Sequence, residues 1–256
     1  MRLAIISRQR KRPKVMTTRR TISDIRMGYD MYERHQAVRT LLDTPAGAAV
    51  LDVGGIAGGL QSFLPGAKVT ALNIDDTGDV HYDGKTIPYP DGAFDTVVSL
   101  DTLEHVPPSG RPRFVTECRR VSRHTMLIAA PYGSRGHGAY EAKLDELYRA
   151  VHGDYHRWLH EHVVNGLPQE DDLAAYRRTL AATACTVTTY YCGDYTWQCS
   201  NLERSLTLQR RLQGLGPLRK AANVYDLLTL AAPWPAPVFA LDPTPTTNRF
   251  YLLAHH

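Results

Sequence analysis

Carboxylates recur in this chain at the ends of short apolar runs, next to glycines. Asp52 closes Ala48-Ala49-Val50-Leu51 and leads into Val53-Gly54-Gly55-Ile56-Ala57-Gly58-Gly59; Asp75 follows the run from Lys68 to Ile74, Asp83 precedes Gly84, and Asp101 follows Phe94 to Leu100. Ionised carboxylates accept from ammonium and hydroxyl groups, and a strand that runs straight into a glycine turn lets backbone amides approach a nucleotide-like ligand closely. The combination suits a ligand bearing positive charge and a diol. Glycines also serve plain turn geometry, and a dinucleotide-binding fold carries a similar loop, so the turn alone leaves both open. Four residues beyond Asp101 stands His105, whose imidazole can accept a proton near neutral pH.

These residues need a sheet to position them. The apolar run ending at Val53 reads as a buried parallel strand, and further strands are expected at 68–74, 94–100, 125–130, 186–192 and 249–253. Ile22 to Leu42 has helical spacing with Pro45 just beyond it, and helical stretches separate the central strands. Strand alternating with helix predicts an α/β fold with a doubly wound, mainly parallel sheet covered on both faces. Residues 134–180 are too long for a plain connection and follow the carboxyl end of the fifth strand, where open α/β sheets bind ligands; a helical cap is expected there. The reading is one domain over residues 21–256, preceded by an arm at 1–20.

Four motifs follow one another at set intervals: the glycine turn, Asn73-Ile74-Asp75, Asp83-Gly84 ahead of Ile87-Pro88, and Asp91-Gly92-Ala93-Phe94-Asp95-Thr96-Val97-Val98-Ser99-Leu100-Asp101-Thr102-Leu103-Glu104-His105-Val106. This series resembles the class I methyltransferases, in particular the group whose fourth strand reads FDxVxSxxxLEHV and whose preceding loop reads LPFxDGxFD. The similarity covers residues 48 to 132 well and the C-terminal third in outline. It implies a Rossmann-like sheet of seven strands, S-adenosylmethionine as methyl donor and S-adenosylhomocysteine as product. By resemblance, Asp52, Gly54, Gly55 and Gly58 hold the donor's methionine end, with Gly54 leaving room for it. Asn73-Ile74-Asp75 meets the ribose, Asp83 the adenine amino group, the Gly84 amide the ring, and Leu100 with Asp101 the donor's other side.

Two positions depart from the family. Ile56 stands where glycine is usual, and Asn73 aligns with the ribose-binding acid. A bond to a charged group contributes about 1.5–3 kcal/mol and a neutral one about 0.5–1.5 kcal/mol, so the amide weakens the ribose contact without removing it. Asp75 shares its face, because side chains at i and i+2 project alike.

Methyl transfer from a sulfonium is an in-line displacement, so holding the nucleophile against the methyl carbon is the main requirement. For a hydroxyl acceptor, His105 is the expected base. The segment Asp101-Thr102-Leu103-Glu104-His105 also resembles an acid-x-x-Glu-His pattern with which some methyltransferases of this fold bind a divalent metal; the reading adopted needs no metal. Acceptor contacts are expected from Tyr29, Tyr32 and His35 on the first helix, from Tyr132, and from His137 and Trp158 in the cap. His152, His156, His160 and His162 read as polar surface.

The net charge of +4 resides in the arm, which holds Arg2, Arg8, Arg10, Lys11, Arg12, Lys14, Arg19 and Arg20 and no acid. It reads as a solvated tail, and it is the only feature favouring a nucleic-acid or protein acceptor over a small metabolite or natural-product intermediate. A protein that binds the donor without transferring anything is the alternative of another class. Leu3-Ala4-Ile5-Ile6 is too short for a secretory signal, and the apolar segment 227–241, with Trp234, is broken by Pro233, Pro235 and Pro237, so a cytoplasmic protein without a transmembrane segment is expected. Oligomeric state has no marker, a homodimer included. Cys185 and Cys192, seven apart along a strand, would point to opposite faces, which favours buried reduced thiols over a shared metal.

Overall fold

The computed structural model describes residues 28–212 and 236–256. Seven strands lie in them: β1 Ala49–Val53, β2 Lys68–Asn73, β3 Val80–His81, β4 Phe94–Leu100, β5 Ser122–Pro131, β6 Thr186–Asp194 and β7 Thr247–His255. They form one sheet in the order β3-β2-β1-β4-β5-β7-β6, parallel throughout except that β7 runs antiparallel to β5 and β6. This is the doubly wound, mainly parallel seven-stranded sheet expected. The strand missing from the sequence reading is β3, whose two residues are too few to display any period.

The helices are α1 Tyr29–Leu41, α2 Arg111–Val121, α3 Arg135–His152, α4 Arg157–Asn165, α5 Glu170–Ala181 and α6 Tyr195–Arg211. Alternation along each strand builds a core on either face of the sheet. Leu51, Val53, Val97, Met126, Ile128 and Phe250 pack with Phe114 and Val115 of α2 and with Leu173, Tyr176 and Leu180 of α5. Val50, Val98, Leu127, Tyr251 and Leu253 pack with Ala37 and Val38 of α1 and with Leu60 and Leu64. The cysteines obey the same rule: Cys185 joins the first core and Cys192 the second, and all four thiols are free and buried.

Between β5 and β6, α3 and α4 pack with α6 around Leu144, Leu159, Tyr195 and Cys199. Helix α5 belongs to the sheet layer, because its apolar face is spent on α2 and β6. The part of 134–180 standing over the sheet edge is therefore α3 and α4. Ser134 caps α3 by accepting from the His137 amide at 3.2 Å, and Gly153, at φ +85°, ends it in the left-handed conformation that glycine adopts without cost.

Among the described residues no helix is long and apolar enough to cross a membrane. The basic arm, the start of the first helix at Ile22, and Pro233 to Trp234 lie outside the described residues.

Candidate active site

The glycine turn leaves β1 at the carboxyl edge of the sheet, where the strand order reverses between β1 and β4. Gly54 has φ +83° and its amide donates to the Leu72 carbonyl at 2.7 Å, tying the turn to β2. A Cβ there would lie 2.1 Å from Thr102 Oγ1. The glycine therefore makes room for Thr102 of the chain itself. Gly54→Ala should lose about 1–2 kcal/mol from the left-handed backbone alone, with more from Thr102, read as a lower urea midpoint at unchanged m.

At Gly55 a Cβ would stand 2.0 Å from Asp52 Oδ2, so this glycine gives the Asp52 carboxylate its space. Burial pushes the Asp52 pKa up to about 7 despite the opposing charge of Arg34. Such a group favours a cation arriving beside it. Gly58, at φ +77°, has open space where a Cβ would be. Asn73 Nδ2 donates to the Gly55 carbonyl at 3.1 Å and to Thr77 Oγ1 at 3.0 Å, so this amide clamps the glycine turn. Asp75 accepts from the amide and the hydroxyl of Thr77, which lower its pKa.

Ile74 and Gly84 meet across the same edge: a Cβ on Gly84, whose φ is +74°, would lie 3.3 Å from Ile74 Cγ2. Ile56 and Ile74 are each more than half exposed and give this edge an apolar surface. Asp83 Oδ1 accepts from the amides of Lys85 at 2.9 Å and Thr86 at 3.2 Å, which lower its pKa and fix the carboxylate's orientation.

Leu100 is buried in the core, and the next residue, Asp101, has φ +48°. Its carboxylate is gripped by Arg249, with Nε at 2.8 Å and Nη2 at 2.6 Å, and by Arg34. Arg249 also reaches Asp30 at 2.8 Å and Glu33 at 3.3 Å. Burial opposes ionisation of Asp101, but the two guanidiniums outweigh it and hold the acid well below the usual carboxylate range. Burial pushes Glu33 the other way, against the pull of Arg249. The side chain of Asp101 thus holds α1 and β7 to the end of β4.

On the first helix, the residues expected to contact the acceptor make packing and hydrogen-bond contacts within the chain. Tyr29 donates to Glu33 at 3.0 Å and packs edge-on against Trp197. Tyr32 is buried, and His35 is buried against Phe63 with Nδ1 2.6 Å from the Met31 carbonyl oxygen, a setting that lowers its pKa to about 4 chiefly by burial. Tyr132 packs against Tyr191, and His137 stacks on Tyr195 at 4.6 Å with Nδ1 2.9 Å from the Tyr132 carbonyl oxygen.

Trp158 lies beside His105, its ring centre 5.1 Å from that of the imidazole. His105 ends a 3-10 turn, Leu103–His105, on which α4 packs. Arg111 fastens the two together, donating to the carbonyls of Glu104 at 3.2 Å, Val106 at 2.9 Å and Asn165 at 3.3 Å, and to that of Gly166. Asn165 Nδ2 donates back to the His105 carbonyl at 3.0 Å. His105 stands 4.8 Å from the ring of His162 and, with Nδ1, 2.9 Å from Glu161 Oε2. Burial, then the charge of His162, lowers the His105 pKa to about 4, so the ring is neutral at pH 7. His162 is largely buried, contrary to the surface position expected of it; burial disfavours its charge, yet the Glu141 carboxylate holds its pKa up at about 9.

Arg249, Arg34, Arg111 and His162 are the members that the sequence reading missed, while Glu104 entered it only within the acid-x-x-Glu-His pattern.

Residues 51–128 match a protein family described as "Methyltransferase domain". No curated protein matches the chain in sequence. Solved structures similar in fold include a possible histamine N-methyltransferase from Thermotoga maritima, at 12% identity and TM-score 0.52, covering 92% of this chain and 93% of that one. A SAM-dependent methyltransferase from Archaeoglobus fulgidus has 12% identity and TM-score 0.50, covering 91% and 97%. Magnesium protoporphyrin IX methyltransferase from Synechocystis, with SAH bound, has 14% identity and TM-score 0.48, covering 93% and 89%.

Proposed function

We propose that this chain, an S-adenosylmethionine-dependent methyltransferase by its matched domain and its class I sheet, transfers the methyl group to a small-molecule acceptor held beneath α4. The donor's ammonium faces Asp52 and the turn from Gly54 to Gly58. Its ribose lies towards Asn73 and Asp75, and its adenine rests against Ile74 with Asp83 and the Gly84 amide at the ring edge. Leu100 and Asp101 border the sulfonium through their backbone, since the Asp101 carboxylate is engaged elsewhere.

The observation carrying the small-molecule reading is the fastening of α4 onto the Leu103–His105 turn through Arg111 and Asn165, with Trp158 over His105. A helix fixed over that turn restricts the acceptor to a compact molecule with a flat or apolar part, which Trp158 can cover. The reacting oxygen or nitrogen faces His105. Attack forms its bond to the methyl carbon as the carbon–sulfur bond breaks, and the electron pair stays on the sulfur of S-adenosylhomocysteine.

Calorimetry with S-adenosylmethionine and S-adenosylhomocysteine, followed by incubation of the methyl-labelled donor with a cell extract split by mass, tests the proposal. Both ligands should bind and label should enter the low-mass fraction. Label confined to protein or nucleic acid would overturn the acceptor class, and donor binding without any transfer would leave a binding protein.

A further inference from the structure

Glu104 is fully buried, and among the described residues neither of its carboxylate oxygens has a hydrogen-bond partner. A buried acid without partners is costly, so its surroundings must say what it is for. Two imidazole nitrogens face it: His162 Nε2 lies 3.8 Å and His105 Nε2 lies 4.0 Å from Glu104 Oε1. Neither distance makes a hydrogen bond. Both rings present their other nitrogen to a second carboxylate. His162 Nδ1 is 3.2 Å from Glu141 Oε1, and His105 Nδ1 is 2.9 Å from Glu161 Oε2. At His162 the Glu141 carboxylate accepts from Nδ1–H while Nε2 faces Glu104, the arrangement in which histidines bind metal ions.

We infer that Glu104, His105 and His162 bind one divalent first-row transition ion, at which an oxygen of the acceptor coordinates beside the donor's methyl group. One donor atom from each residue lies within 4.8 Å of the other two. Donor atoms about 2.0–2.1 Å from one ion stand roughly 3–3.5 Å apart, so small side-chain rotations close the set. Two imidazoles and one carboxylate suit zinc, iron, cobalt or nickel better than magnesium, and they leave coordination positions open. Glu141 has a second anchor of its own, His137 Nε2 at 3.5 Å, which keeps it aimed at His162.

Coordination gives the reaction what a lone neutral His105 supplies poorly. An acceptor hydroxyl on the ion releases its proton to solvent, the oxygen attacks the methyl carbon, and the carbon–sulfur pair passes to the departing sulfur. The acceptor's part rests on the methyltransferase reading; ion binding does not.

The test is titration of Co²⁺ into the full chain after chelator treatment, followed by visible absorption and calorimetry. One ion per chain should bind and give ligand-field bands, and Glu104→Gln and His162→Asn should each weaken binding at least about tenfold. Thermal melts without metal check that these variants fold. If either does not, Glu141→Gln, which acts only by releasing His162, should still weaken binding about tenfold. Absence of heat and bands with Co²⁺, Zn²⁺ and Mn²⁺ at millimolar concentration overturns the inference, as does Co²⁺ binding unaltered by the substitutions. Calorimetry with S-adenosylmethionine on the same samples shows whether the donor reading stands independently.

Discussion

Asp52→Asn is expected to melt at a higher temperature than the parent protein above pH 7, while binding S-adenosylmethionine roughly ten- to a hundredfold more weakly. Both effects come from one buried carboxylate whose pKa rises from 3.8 to about 7 on folding. In the unfolded chain the acid ionises near 3.8; in the folded protein it keeps its proton until about 7. Its burial therefore costs nothing below pH 4, a growing amount between the two values and a constant amount above pH 7, on the order of 4 kcal/mol. Asparagine escapes that cost, so the stability gap between variant and parent should open from pH 4 to 7 and then stay level, as urea midpoints at pH 5 and pH 8 would record. The donor's ammonium gains from the ionised form, and losing a charged bond of about 1.5–3 kcal/mol gives the expected drop in affinity. A variant that binds the donor as tightly as the parent would displace Asp52 from the pocket.

The largest loss of stability is expected from Arg249→Met. Arg249 is 1% exposed and bonds Asp101, Asp30 and Glu33. Removing it leaves Asp101 and Asp30 to Arg34 and takes from Glu33 its ion-pair partner, and stranding charges of a buried cluster costs about 3–5 kcal/mol. Acid should erase the difference. The folded-state pKa of Asp101 is depressed, so its contribution is complete above the ordinary carboxylate value and disappears as pH falls through the lowered one. Arg249→Met should accordingly melt far below the parent at pH 7, and the gap should begin to narrow only below the ordinary carboxylate value and keep shrinking past pH 3. Asp101→Asn combined with Arg249→Met should recover part of the loss, since fewer unpaired charges remain buried.

The features legible in sequence are those written locally. The run into Gly54-Gly55, the pattern from Phe94 to His105 and the seven-residue step between Cys185 and Cys192 each express a strand period or a turn, and the structure follows them. Charge pairs have no such period: Asp101 and Arg249 are 148 positions apart, and Arg249 in isolation reads only as the start of a strand. Tyr29, Tyr32 and His35 fall at helical spacing as acceptor contacts would, but Tyr29 engages the Glu33 carboxylate, His35 packs on Phe63 and Tyr32 is buried. His162 was hidden for the same reason as Arg249, because the acids around it, Glu104 and Glu141, belong to other elements.

Strand β7 lies between β5 and β6, although it is the last of the seven to leave the ribosome. While it is still in the exit tunnel, β6 has no neighbour, and the apolar rows of Leu127 and Ile128 border an open edge. Arg34 meanwhile faces Asp101 without its second cation. Strand β7, Thr247–His255, must therefore have left the tunnel before the sheet can close, and until then the open edge between β5 and β6 is exposed to aggregation.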